Sequence, residues 1–180
     1  MDVLAVIPVI DQTVLRPLGG RILLQRAIEH ARAARLIDRI AVVSAEVEVL
    51  GEAAAAGAEA VGVPAAEGER IDAAMALSRA ADSLSARDGF APQLALVLDP
   101  AFPLRTAASL DQAIEHLMRC GADSLVSVHP LNEALWVQDE GGMAQPCDGA
   151  PNQVRFVENG AIVAVRMSVF EADARLPAGR

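Results

Sequence analysis

The chain has 180 residues, of which 53% are apolar and 22% charged, and its formal net charge is −9. That length suits one soluble domain with a sizeable core, and no apolar run approaches the roughly 20 residues of a membrane-spanning helix. The acidic balance argues against a nucleic-acid backbone as partner.

All 15 basic residues are arginine. Without lysine, Schiff-base chemistry and a lysine phosphate clamp are excluded. No basic stretch opens the chain, so no signal peptide is read. Cys120 and Cys147 fit a reducing cytoplasm, and neither has a CxxC neighbour that would suggest a metal site. Tyrosine is absent and aromatics make up 3%, so stacking platforms are scarce.

The pattern alternates strand and helix. Residues 3–9 form a continuous apolar run of strand length. The next stretch contains no glycine, and its one cation is Arg16; Pro17-Leu18-Gly19-Gly20 follows. A phosphate-cradling loop needs glycines, so that backbone N–H groups can approach the anion, and usually a cation. Helical spacing covers residues 22–34. A strand at 40–44 leads to an alanine-rich helix at 47–56, stopped by Gly57. A strand at 60–63 and a helix at 71–86 come next, then a strand at 94–98. Thr106 caps a helix at 107–120 that Gly121 ends. A fifth strand spans 124–128.

This alternation predicts a mostly parallel sheet with helices on both faces, a three-layer α/β/α sandwich in a single domain, 1–180. Ligands in such sheets sit beyond the carboxyl ends of the strands. Beyond residue 130 the rhythm breaks. Trp136-Val137-Gln138 reads as a short strand and residues 139–142 as a turn. Residues 154–157, Asn159-Gly160 and 161–166 read as strand, tight turn, strand.

Four stretches together resemble the acylneuraminate cytidylyltransferase family. They are Ile7-Pro8 with Arg16-Pro17-Leu18-Gly19-Gly20; Leu36-Ile37-Asp38-Arg39-Ile40-Ala41-Val42-Val43-Ser44; Pro100-Ala101-Phe102-Pro103-Leu104-Arg105-Thr106 with Gly121-Ala122-Asp123-Ser124-Leu125-Val126-Ser127-Val128; and Glu158-Asn159-Gly160-Ala161-Ile162. They run in the family's order from Val3 to Val165. Parts are also similar to the methylerythritol-phosphate cytidylyltransferases.

The resemblance implies a Rossmann-like nucleotidyltransferase fold, CTP and Mg²⁺, and transfer of CMP to an acidic, sialic acid-like sugar with release of pyrophosphate. It implies a homodimer with residues 131–160 as the dimerisation insertion. The candidate site uses Arg105 and Arg16 as catalytic cations, with Pro8, Arg70 and Asp99 on the nucleotide; of the charged residues only Arg105 matches the family cleanly.

The departures are equally plain. The family's Arg, Gly, Ser, Lys and Asn after Ile-Pro are missing here, apart from Arg16. Its glutamine before the Pro-Thr-Ser-Pro-Leu-Arg motif is Asp99, and the Thr and Ser of that motif are Ala101 and Phe102. Its paired serine is Glu69-Arg70. Its late magnesium-holding aspartates have no counterpart in the chain.

Each residue also has a plainer reading. Arg105 is a carboxylate or phosphate ligand, or a structural salt bridge near the helix start. Asp99 contacts metal, base or ribose, or caps a turn. Arg70 replaces the lost cation, or forms with Asp72 a solvated helix start in which the helix dipole favours the aspartate. Asp11 and Arg16 touch ligand, or only turn the chain. His30, His116 and His129 show no metal-ligand spacing. Three functions stay open: a cytidylyltransferase, a degenerate binding or assembly module, and a nucleotidyltransferase with a changed substrate.

Overall fold

The computed structural model describes residues 1–64, 71–131, 136–146 and 154–179. The chain runs β1 (Val3–Val9), a one-turn 3-10 helix (Gln12–Leu15), the short hairpin β2–β3 (Pro17–Leu18, Arg21–Ile22) and α1 (Leu23–Ala33). It continues through β4 (Arg39–Ser44), α2 (Val47–Ala55), β5 (Glu59–Gly62), α3 (Ala73–Asp88), β6 (Leu94–Val97) and α4 (Ala107–Cys120). Next come β7 (Ser124–Leu131), β8 (Trp136–Gln138), β9 (Ala144–Pro146), β10 (Arg155–Arg166) and α5 (Met167–Asp173).

The main sheet has the order β5-β4-β1-β6-β10-β7. β1 pairs in parallel with β4 and β6, and β4 with β5. β10 lies antiparallel between β6 and β7. The chain therefore builds outward from β1 to β4 and β5, then crosses back to start β6 on the other side. That reversal between β1 and β6 is where open α/β sheets leave a crevice for ligands.

Side-chain alternation along β1 makes the layers. Val3, Ala5, Ile7 and Val9 face a core shared with Leu24 and Ile28 of α1, Val49 of α2, and Leu110 and Ile114 of α4. Leu4 and Val6 face the opposite core with Leu77 and Leu84 of α3 and Phe170 of α5. A strand buried on both faces needs such a continuous apolar run. Each fully buried Leu, Ile or Val contributes roughly 1.5–3 kcal/mol.

Capping chemistry sets the helix ends. Asp72 accepts from Met75 N–H at 2.7 Å and starts α3, which ends at left-handed Gly89. Thr106 and Ser109 form a reciprocal capping box at α4, which ends at left-handed Gly121. Buried Asp111 ties α4 to the end of α1, accepting from Leu36 N–H at 3.0 Å and from Arg35 Nε at 3.1 Å. Burial pushes its carboxyl up, but those N–H groups and the Arg35 charge outweigh it and hold the carboxyl below its usual range.

One local expectation fails. Asn159-Gly160 does not turn the chain. Residues 155–166 form one strand, whose two halves pair with the same neighbour: Arg155 opposite Leu131, and Val165 opposite Ser124. A bulge between Glu158 and Val163 takes up the irregularity, with Gly160 at φ +72°. Asn159 pins it, its Oδ1 accepting from Ser127 Oγ at 2.6 Å and from Ala161 N–H at 3.1 Å. Helix α3 starts at Ala73, because Asp72 is its cap. Among the described residues no helix is long and apolar enough to cross a membrane.

Candidate functional site

A cleft of about 390 Å³ opens at the carboxyl ends of β1 and β6. Pro8 to Asp11 form one wall, Asp99, Pro100 and Ala101 another, Asp72 sits at the start of α3, and Gly160 lies on the β10 bulge. Ser44, fully buried at the end of β4, clamps the first wall by donating to Val9 O at 3.1 Å while accepting from Glu46 N–H. Gln12 ties the following turn to Glu46 at 2.9 Å.

The lining is acidic. Asp11, Asp72 and Asp99 contribute carboxylates, and no described lining residue is a cation. Each carboxylate has one oxygen engaged by local main chain: Asp11 by Thr13 N–H at 2.7 Å, Asp72 by Met75 N–H, and Asp99 by Ala101 N–H at 2.8 Å. Hydrogen bonds from Thr13 hold the Asp11 carboxyl below its usual range, and the Arg16 charge adds to this.

The loop after β1 is a closed unit. Its 3-10 turn spends Thr13 N–H on Asp11 and Arg16 N–H on Thr13 O. These donors are therefore not presented to an anion. The loop after β6 likewise directs Ala101 N–H and Phe102 N–H back onto Asp99. Among the described residues no group of three or more His, Cys, Asp or Glu is placed to hold a metal ion. Mg²⁺ ordinarily uses only one or two carboxylates plus substrate phosphates.

The expected site residues separate into three groups. Pro8 and Asp99 line the cleft. Arg16 is exposed and outside the lining; its main chain bonds Thr13 and Leu23. Arg70 lies outside the described residues. Arg105 does not face the cleft but supports it from behind. It is 6% exposed, and its Nη1 donates to Asp99 O at 3.1 Å and Ala161 O at 2.5 Å. Burial brings its guanidinium down to about 10, partly offset by Asp99.

Gly160 went unanticipated as a cleft residue, because its place depends on β10 inserting between β6 and β7. Its only sequence signal was the Asn-Gly pair, which equally signals a turn. Asp72 was visible as a helix-start residue, but its convergence with Asp11 and Asp99 is tertiary.

No protein-family model matches the chain, and no curated protein matches it. Solved structures share its fold. A CMP:2-keto-3-deoxy-manno-octonic acid synthetase complexed with CTP aligns at TM-score 0.72 and 14% identity, covering 99% of this chain and 80% of that one. A 4-diphosphocytidyl-2C-methyl-D-erythritol synthase from Anaerococcus prevotii aligns at TM-score 0.72 and 13% identity, covering 96% and 74%. Another 4-diphosphocytidyl-2C-methyl-D-erythritol synthase gives 0.70 and 13%, covering 97% and 79%. The chain has the Rossmann-like α/β fold of nucleotidyltransferases.

Proposed function

We propose that the cleft between Pro8 and Asp99 binds CTP and that the chain transfers CMP to a hydroxyl of an acidic sugar, sialic acid-like in class. One observation carries this reading: the cleft lies at the β1/β6 switch point of a fold shared with CTP-using synthetases. In the reaction the sugar oxygen bonds to the α-phosphorus, the bond to pyrophosphate breaks, and the hydroxyl proton passes to water. Magnesium arrives with the triphosphate, and the second carboxylate oxygens of Asp11 and Asp99 are the groups that would hold it. Arg16 is the one cation of the loop after β1, and Arg70, three residues ahead of α3 in the sequence, is the proposed second.

A second reading has its own support. The loop after β1 spends its donors internally and the described lining has no cation. Electrostatic clamps on the transferring phosphoryl group are worth a few kcal/mol each. A chain without them fits a binding or assembly module with little transfer. Pyrophosphate release in the presence of CTP, Mg²⁺ and a sugar acid separates the two. Sugar-dependent release supports transfer. CTP binding without release supports the module.

The segment 131–160 is the proposed homodimer contact. Trp136 is 61% exposed, and Val137, Met143 and Phe156 are also exposed there. These exposed apolar side chains support an interface there.

A further inference from the structure

Helix α4 carries a histidine and a cysteine one turn apart. No two histidines of the chain have ligand spacing, but His116 and Cys120 stand at i and i+4, so they share one helix face. Buried Leu110, Ile114 and Leu117 hold α4 against the core. His116 and Cys120 are exposed on the backbone that those residues fix.

His116 Nε2 lies 3.5 Å from Cys120 Sγ. Zinc bonds imidazole nitrogen at about 2.0–2.1 Å and thiolate sulfur at about 2.3 Å, which at the tetrahedral angle sets the two ligand atoms about 3.6 Å apart. The pair has that separation on one helix. Imidazole and thiolate are ligands for zinc, whereas the carboxylates of the nucleotide cleft suit magnesium. His116 also lines a cavity of about 410 Å³ with Gln112, Glu115 and Arg119. That cavity has room for the waters or small anions that complete four-coordination. Among the described residues no third His, Cys, Asp or Glu joins the pair.

We propose that His116 and Cys120 form an open, two-ligand site for a thiophilic divalent cation, zinc above all, apart from the nucleotide cleft. On binding, Sγ bonds to the metal and the thiol proton passes to solvent. Arg119 is the built-in competitor. Its Nη2 donates to His116 Nδ1 at 2.9 Å. A guanidinium has no acceptor, so Nδ1 accepts and the ring proton sits on Nε2, toward the sulfur. For the metal to take Nε2, that proton moves to Nδ1 and the exposed Arg119 side chain swings away. Arg119 thus opposes the metal through the tautomer and through its charge, and removing it should tighten binding. A thiol–imidazole hydrogen bond alone predicts no such gain.

The test uses the full chain, reduced and without nucleotide, with Co²⁺ as a visible stand-in for zinc. A thiolate-to-cobalt charge-transfer band should grow and saturate at one metal per chain. Zn²⁺ should displace it and excess Mg²⁺ should not. Losing even an outer partner of a metal site costs about 10–100-fold in affinity, so His116→Gln and Cys120→Ser should each weaken binding about tenfold or more. Arg119→Gln should bind more tightly than wild type. All three residues are exposed, so the variants should keep the wild-type melting curve in the absence of metal. Cys147→Ser, which removes the chain's other cysteine, should leave the band unchanged.

A titration without the band overturns the site, as does a band that survives Cys120→Ser or vanishes in Cys147→Ser. Unchanged affinity in His116→Gln would reduce the observation to a thiol binding metal by itself, and equally overturns it. Equal or weaker binding in Arg119→Gln contradicts it too, because metal on Nε2 must displace that guanidinium. None of these outcomes depends on CTP, so the site and the transfer reading stand or fall separately.

Discussion

Arg105 donates through Nη1 to the main-chain oxygen of Asp99 at 3.1 Å, so the carboxylate-bearing residue of the cleft is fixed by a cation that does not itself line the cleft. The same nitrogen reaches Ala161 O on β10. One buried side chain thereby locks the loop after β6 to the strand carrying Gly160. The cleft depends on Arg105 for its shape, whereas Arg39 serves a different edge.

That difference gives the first prediction. Arg39 donates to Glu59 at 2.7 Å and to Asp88 at 3.0 Å, and it lies over the Phe90 ring at the start of β4. Arg39→Ala should cost about 2 kcal/mol of stability and leave nucleotide binding unchanged. Arg105→Ala should weaken CTP binding as well as the fold. Calorimetric titration of both variants, each at a temperature where it is folded, checks this. Equal effects on binding would count against the assigned cleft.

CTP affinity should be weak. The cleft presents carboxylates, and the loop donors are spent. A ligand at 100 times its Kd stabilises the folded state by about 2.7 kcal/mol, a readily seen shift in melting temperature. Micromolar CTP with Mg²⁺ should give no shift, and millimolar CTP should give one. A clear micromolar shift would show that the charge deficit has been made good, and would draw attention to Arg16 and Arg70.

Much of the fold was legible because it rests on local signals. The apolar run of β1, Thr106 before α4 and Gly121 after it each state their structure in adjacent residues. The cleft was legible only in part. Pro8 sits at the end of β1 and Asp99 follows β6, and a strand end in an α/β sheet points to its own crevice. Arg105 shows the limit: its neighbours in sequence say helix start, but its burial and its bond to Ala161 come from β10, fifty-six residues on. The Asn159-Gly160 pair misled for the same reason. A positive φ serves a hairpin turn and a bulge equally, and only the partner strand decides between them.

Gly160 is testable in those terms. At φ +72° an added Cβ would sit 3.6 Å from the Phe102 ring, which is ordinary contact. Gly160→Ala should therefore cost about 1–2 kcal/mol, from backbone strain rather than from a clash. Urea unfolding measures it. A neutral result would mean that the bulge relaxes without the left-handed residue.

Asp111 should make part of the stability pH-dependent. Its folded carboxyl is held below the usual range, so the unfolded chain takes up its proton first as the pH falls. The stabilisation is fully present above the ordinary carboxylate range and disappears as the pH drops through the lower, folded value. Asp111→Ala should cost about 1–3 kcal/mol at neutral pH, because Leu36 N–H is left unmatched. The gap between variant and wild type should narrow as the pH falls below the ordinary carboxylate range. An unchanged gap would assign the stabilisation to packing.

The 131–160 segment should bring two chains together. Sedimentation at micromolar concentration should give a dimer mass. Trp136→Asp should shift it toward monomer while leaving the melting curve of the main sheet in place, since Trp136 is exposed and its β8–β9 hairpin is a separate sheet. A monomer mass for the wild type would end this proposal.

The most direct test is a crystal structure of the chain soaked with millimolar CTP and Mg²⁺. The account predicts the nucleotide in the cleft between Pro8 and Asp99, with the metal against the carboxylates of Asp11 and Asp99. An empty cleft at that concentration, or CTP bound elsewhere, would contradict it.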